Sequence, residues 1–148
     1  MSTSQIMMLV LAIVAFDALV LGLVFAWLRR RLALLAHAMR DHAIQLGERF
    51  VIEPQSALYR GGKGYFSKVK GNGVIALTDK RLLFRKAIGQ GMEIPLDQIA
   101  EVSESKWFMG SYRGGGMHLV LRLRDGVEVG FMVRDHQAWM NALQSAIA

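Results

Sequence analysis

An apolar run extends from Ile6 to Leu28 and ends at three consecutive arginines, Arg29, Arg30 and Arg31. At about 1.5 Å per residue, a helix of this length reaches about 35 Å, enough to cross a hydrocarbon core of about 30 Å. The run exceeds the roughly 7 to 15 apolar residues of a secretory signal, and no basic residue precedes it. The pattern predicts a short extracytoplasmic N-terminus (1–5) and one transmembrane helix (6–28).

The arginine cluster predicts the orientation of this helix. Basic residues lie only on its C-terminal side, which by the positive-inside bias places Arg29, Arg30 and Arg31 in the cytoplasm. The chain contains no cysteine, so no disulfide framework contradicts a reducing compartment. We therefore expect a single-pass protein of the cell (inner) membrane, with its N-terminus outside and its C-terminal domain in the cytoplasm.

Asp17 lies at the middle of the predicted span. An acidic residue there costs roughly 2.5 to 3.5 kcal/mol, which the surrounding apolar residues more than offset. Its carboxyl group is expected either to contact another transmembrane helix, from a second copy or a different protein, or to be a tolerated protonated group.

A second pattern predicts a juxtamembrane helix over 29–46. Apolar residues and one histidine recur at alternating spacings of four and three, forming a stripe of Leu28, Leu32, Leu35, Met39, His42 and Leu46. This stripe is too short for a coiled coil, so it is expected to pack on the protein's own domain or to lie on the bilayer. Gly47 is expected to end the helix.

Residues 47–148 are the size of one small domain, and their pattern is typical of an all-β body. Seven strands are predicted: 57–60 continuing to 65–69, then 73–78, 81–86, 92–95, 100–108, 117–123 and 127–133. Asp125-Gly126 predicts a two-residue type I′ hairpin. A final helix is expected after the capping residue Asp135, with Trp139 as its main apolar anchor.

The segment from Gly73 to Phe84, followed by Glu93 to Ile99 and Val102, resembles the core pattern of GRAM domains and bacterial PH-like domains. The resemblance covers residues 46 to 147. It implies a PH-like bent barrel of seven strands capped by a C-terminal α-helix. It also implies a module that binds membrane lipids or proteins, because such domains often recognise lipid headgroups or peptides. Such domains are usually not enzymes.

Candidate lipid-binding residues follow from this resemblance and from the charge pattern. The nearest counterparts of the basic residues of lipid-binding PH domains are Lys63, Lys68, Lys70, Lys80 and Arg81. They could equally be solvated loop charges. Trp107 and Phe108 precede a glycine-rich loop containing Arg113, where they could enter the bilayer or grip a partner, or could instead belong to the core.

Charge and composition limit the other classes of function. From Phe50 onward the chain has thirteen basic and nine acidic residues, a mild excess that suits an anionic leaflet and does not require nucleic acid. No cysteine and no HExxH pattern occurs, so we expect no enzyme, metal or cofactor. Two hypotheses remain: a non-catalytic module that contacts anionic lipid headgroups, or a tethered module that binds a protein partner through its domain or through Asp17.

Overall fold

The computed structural model describes residues 1–112 and 114–148 of the chain. Within these residues it contains two α-helices and nine β-strands, with a single 3-10 turn at Leu96–Gln98. The elements are α1 (Thr3–Gln45), β1 (Phe50–Gly62), β2 (Gly71–Thr78), β3 (Arg81–Lys86), β4 (Met92–Pro95), β5 (Ile99–Ser105), β6 (Trp107–Phe108), β7 (Ser111–Tyr112), β8 (His118–Leu123), β9 (Glu128–Val133) and α2 (His136–Ile147).

α1 joins the predicted transmembrane and juxtamembrane segments into one continuous helix. It begins with a capping box, in which the Ser2 hydroxyl accepts from the Gln5 amide and the Gln5 side chain accepts from the Ser2 amide. It ends at Gln45, and the expected Gly47 follows the cap residue Leu46 with a φ of 70°, in the left-handed region. Residues 1–27 are exposed throughout, and α1 is long and apolar enough to cross a membrane, by length and composition.

Seven strands form one curled antiparallel sheet in the order β4-β3-β2-β1-β9-β8-β5, and β6 pairs with β7 in a separate hairpin. The inner face of the sheet encloses the core, where the rings of Tyr59, Phe84 and Phe131 lie 5.2 to 5.7 Å apart between centroids. α2 closes this core with the buried Trp139, and Asp135 caps the helix as predicted. The half-barrel with its C-terminal helix confirms the PH-like architecture.

The C-terminal part of α1 packs on the outer face of β2 and β3. Met39 is buried in a small second cluster with Val74, Ala76 and Leu83, and Leu32 and Leu35 pack against it. The stripe therefore contacts the protein's own domain, which was one of the two alternatives. Leu46, its last member, remains exposed.

Three predicted strand boundaries were wrong. β1 begins earlier than expected, at Phe50, because Pro54 falls at a register irregularity between Ile52 and Gln55, where its missing N–H is tolerated. Residues 65–69 belong to no strand and form a loop. The strand predicted over 100–108 is divided into β5 and β6, and β6 turns away from the sheet to pair with β7.

The hairpin between β8 and β9 also differs from the prediction. Asp125 does not adopt the positive φ that a type I′ turn requires, whereas Gly126 does, with φ of 87°. The Leu123 amide donates to the Val127 carbonyl at 2.8 Å, which leaves three residues in the loop. A three-residue loop with glycine in the left-handed position is the next most common hairpin connection.

Candidate functional site

α1 runs along the sheet in a defined direction. At one end, the Arg31 Nε donates to the carbonyl of Ala87 at 3.2 Å, in the loop between β3 and β4. At the other end, the Asp79 amide, in the turn between β2 and β3, donates to the Arg49 carbonyl at 2.9 Å. The residues of α1 before Leu28 therefore project beyond the first end. We call that end the loop rim: residues 63–70, between β1 and β2, and residues 87–91, between β3 and β4.

The loop rim exposes large apolar side chains beside cations. Tyr65, Val69 and Ile88 are 68%, 71% and 77% exposed, respectively. Lys68 and Lys70 are exposed in the same loop as Val69. Exposed apolar side chains that lie next to basic residues suit the boundary between lipid headgroups and acyl chains.

Lys86, at the end of β3, is a candidate that was missed from the sequence. It lies on the inner face of the sheet and is only 8% exposed. Its ammonium donates to the Val69 carbonyl at 2.8 Å and to the Ser67 hydroxyl at 3.4 Å, and lies 4.5 Å from the centroid of the Tyr59 ring. Burial lowers the pKa of Lys86 and raises the pKa of Tyr59 to about 12. No carboxylate of the described residues forms an ion pair with this ammonium.

Lys86 lines a cavity of about 520 Å³ at the open end of the barrel, which we call the barrel mouth. Its wall combines both loops of the rim: Tyr65, Phe66, Ser67, Val69, Lys86, Ile88, Gly89, Gln90, Gly91 and Met92. A buried cation without an anionic partner is costly, and such a group under an open cavity suits an anionic ligand.

The structure does not bring the five predicted cations together. Lys63, Lys68 and Lys70 lie on the loop rim, but Lys63 forms an ion pair with Glu128 at 3.1 Å. Lys80 and Arg81 lie at the opposite end of β2, and eight strand residues separate the two ends by about 23 Å. One headgroup cannot contact both groups.

Arg81 serves the structure at its end of the sheet. It forms ion pairs with Glu48 at 2.7 Å and with Glu93 at 3.0 Å, and the Glu48 side chain is only 4% exposed. The hydrogen bond to Glu93 raises the pKa of Arg81. Burial alone would raise the pKa of Glu93, but the hydrogen bonds from Arg81 and Arg85 lower it on balance. This network holds the linker after α1 against β3.

The two predicted aromatic residues have different environments. Trp107 is 63% exposed and stacks on Tyr112 at 5.1 Å between centroids. Phe108 is buried over Gly130, where a β-carbon would lie 2.4 Å from its ring. Phe108 therefore packs the hairpin against the main sheet, and Trp107 is exposed and free to contact a membrane or a partner. Arg113, also named from the sequence, lies outside the described residues.

The three arginines of α1 have different surroundings. The guanidinium carbon of Arg29 lies 5.5 Å from the centroid of the Phe25 ring, Arg30 is exposed, and Arg31 contacts the loop rim. Asp17 is exposed in the apolar part of the helix, with no hydrogen-bond or ion-pair partner among the described residues.

Comparison with known proteins shows likeness in fold. No family model matches the chain, and no curated protein matches it. The C-terminal domain of an unknown protein from Leishmania infantum aligns with a TM-score of 0.53 at 14% identity, covering 76% of this chain and 97% of that one. The Vps36 N-terminal PH domain aligns with a TM-score of 0.47 at 24% identity, covering 68% and 82%. The Slm1 PH domain in complex with phosphoserine aligns with a TM-score of 0.43 at 17% identity, covering 64% and 96%. At these identities the likeness concerns the fold alone.

Proposed function

We propose that this chain is a single-pass membrane protein, of the GRAM or bacterial PH-like type, whose cytoplasmic domain binds anionic lipid headgroups at the inner leaflet without catalysing a reaction. The observation that carries the proposal is the continuity of α1. The same helix that exposes an apolar segment of membrane-spanning length packs its C-terminal part on β2 and β3. The domain is therefore held in one orientation relative to the proposed membrane.

This orientation directs the loop rim towards the proposed bilayer. Leu28, the last residue of the predicted span, shares a cleft with Val69 and Ile88 of the rim. Val69 and Ile88 then lie near the level at which the helix leaves the hydrocarbon. Lys80 and Arg81 face away from it.

Charge supports an anionic ligand in this position. Lys68 and Lys70 are exposed on the rim, and Arg29 and Arg30 lie on α1 at the same end. Each cation near an anionic leaflet contributes about 1 kcal/mol. The Lys86 ammonium, which has no carboxylate partner in the described part of the chain, adds a contact for one headgroup at the barrel mouth.

Hydrogen exchange of the full-length protein in nanodiscs tests this function. Anionic discs should slow exchange at residues 63–70 and 87–91 relative to neutral discs, and raised salt should reverse the effect because it screens surface charge. The turn at Asp79 and Lys80 serves as an internal control and should exchange equally in both discs. Equal exchange of the loop rim in both discs would contradict lipid binding by the rim. Recovery of the full-length protein in a detergent-free supernatant would contradict the proposed membrane anchor.

Asp17 favours a second candidate function, recruitment of a protein partner or a second copy through the helix. Its carboxyl group lies among exposed apolar side chains without a partner in the described chain, and such groups in hydrocarbon usually pair. Crosslinking in intact membranes should lose a specific product when Asp17 is replaced by Leu and retain it when Asp17 is replaced by Asn. Unchanged products in both variants would eliminate helix pairing.

A further inference from the structure

A second opening lies between α1 and the loop rim, and it shares Val69 and Ile88 with the barrel mouth. This helix–loop cleft has a volume of about 300 Å³. Its lining consists of Leu28, Val69, Lys70, Gly71, Asn72, Ala87 and Ile88. Lys70 lines this cleft and not the barrel mouth, whereas Lys86 lines the barrel mouth and not this cleft. The two openings can therefore be tested separately.

The chemistry of the cleft combines apolar walls with a cationic edge. Leu28, Val69 and Ile88 supply the walls. Lys70 supplies the cationic edge and has no carboxylate partner among the described residues. Arg31 lines a separate opening, and its hydrogen bond to the Ala87 carbonyl is its contact with the wall of this cleft. A phospholipid has the complementary parts, because its acyl chain is apolar and its phosphate is anionic.

The position of the cleft favours a lipid as its occupant. Leu28 is the last residue of the predicted span, and the exposed apolar residues of α1 precede it. The cleft therefore opens where the proposed membrane segment ends.

We propose that the helix–loop cleft binds a single anionic phospholipid, with an acyl chain against Leu28, Val69 and Ile88 and its phosphate at Lys70. This inference rests on the proposed function, since it requires α1 to be in a membrane. The bound lipid would join the helix to the domain and so strengthen the orientation of the loop rim.

Native mass spectrometry of the full-length protein, released from anionic nanodiscs, tests the inference. The wild type should retain one anionic phospholipid that Lys70→Gln weakens by about tenfold or more, the effect of losing one charge-assisted hydrogen bond. Gly71→Leu, which adds a side chain to the lining and keeps Lys70, should also abolish retention. A β-carbon at Gly71 meets no atom within 4 Å, so the backbone there has room for a side chain.

Matched variants distinguish this site from its neighbours. Lys68→Gln removes an exposed charge two residues away that does not line the cleft, and it should leave retention unchanged. Lys86→Met removes the cation of the barrel mouth and none of the cleft, so it separates a lipid held in that opening from one held in the cleft. Retention that is lost in Lys86→Met but kept in Lys70→Gln and Gly71→Leu would overturn the inference and leave headgroup binding at the barrel mouth intact. Absence of any retained lipid in the wild type, with the rim still protected in anionic nanodiscs, would also overturn it without removing the proposed function.

Discussion

Replacing Lys86 with Met removes the buried ammonium and keeps an unbranched apolar side chain beside Tyr59. If the ammonium contacts a lipid headgroup, the variant loses one charge-assisted hydrogen bond, about 1.5 to 3 kcal/mol. Affinity for anionic vesicles should then fall about 10- to 100-fold. The same change at Lys68, an exposed residue of the same loop, should cost only about 1 kcal/mol.

The stability of the Lys86→Met variant should change little. Met gives up two hydrogen bonds from a charged donor, about 1.5 to 3 kcal/mol each, and the contact with the Tyr59 ring, about 1 kcal/mol. Against this loss, the variant no longer buries a charge that lacks an acidic partner in the described chain, a burial that costs several kcal/mol. The two effects have similar size and opposite sign.

Vesicle flotation and thermal denaturation measure these two quantities. The fragment 29–148 is preferable to one that begins at residue 47, because it keeps Met39 over Val74, Ala76 and Leu83 on the outer face of the sheet. Flotation with neutral vesicles gives the baseline. If Lys86→Met binds anionic vesicles as tightly as the wild type, or loses binding only because it unfolds, Lys86 is a structural residue. It then does not bind a lipid headgroup at the barrel mouth.

Four further predictions concern the rest of the domain. Arg81→Met should destabilise the fold by about 3 to 5 kcal/mol in thermal denaturation, because it leaves Glu48 buried without a cation; lost lipid binding with unchanged stability would instead restore Arg81 as a ligand residue. Met39→Ala should cost about 2 to 5 kcal/mol and speed proteolysis between α1 and the sheet, whereas Ile44→Ala, at an exposed position, should do neither. Gly130→Ala should displace the β6–β7 hairpin and alter tryptophan fluorescence, since the new β-carbon overlaps the ring of Phe108; an unchanged spectrum and melting temperature would contradict that packing. The pH dependence of stability should differ between the wild type and Lys86→Met. Because the pKa of Lys86 is lowered in the folded state, the unfolded chain binds more protons than the folded chain at pH values between the folded and the unfolded pKa. As pH rises through this window, the wild type should therefore gain stability relative to the variant.

The sequence predicted the elements that depend on local periodicity. An unbroken apolar run and a four-and-three stripe predicted both parts of α1, and Asp135 with Trp139 predicted α2. The boundaries of β1 and β6 were missed, because a register irregularity at Pro54 and the departure of Trp107 and Phe108 from the main sheet depend on neighbouring strands.

The candidate site was harder to predict, because the role of a cation depends on tertiary contacts. β3 alternates between the faces of the sheet, and Lys86 shares the inner face with Leu82 and Phe84. This period-two signal was available in the sequence and would have marked Lys86 as unusual. Arg81 looked like a loop cation because nothing local reveals Glu48, which reaches it from 33 residues earlier in the chain.

The proposed function requires α1 to hold the loop rim against the bilayer. The chain contains no cysteine, so a single cysteine can carry a fluorophore at either end of the sheet. Ile88→Cys and Lys80→Cys variants of the full-length protein, reconstituted in vesicles, should be compared by quenching with lipids that carry a nitroxide in the headgroup region. If the loop rim lies at the bilayer, quenching should be strong at position 88 and weak at position 80. Equal quenching at both positions, or stronger quenching at position 80, would contradict it.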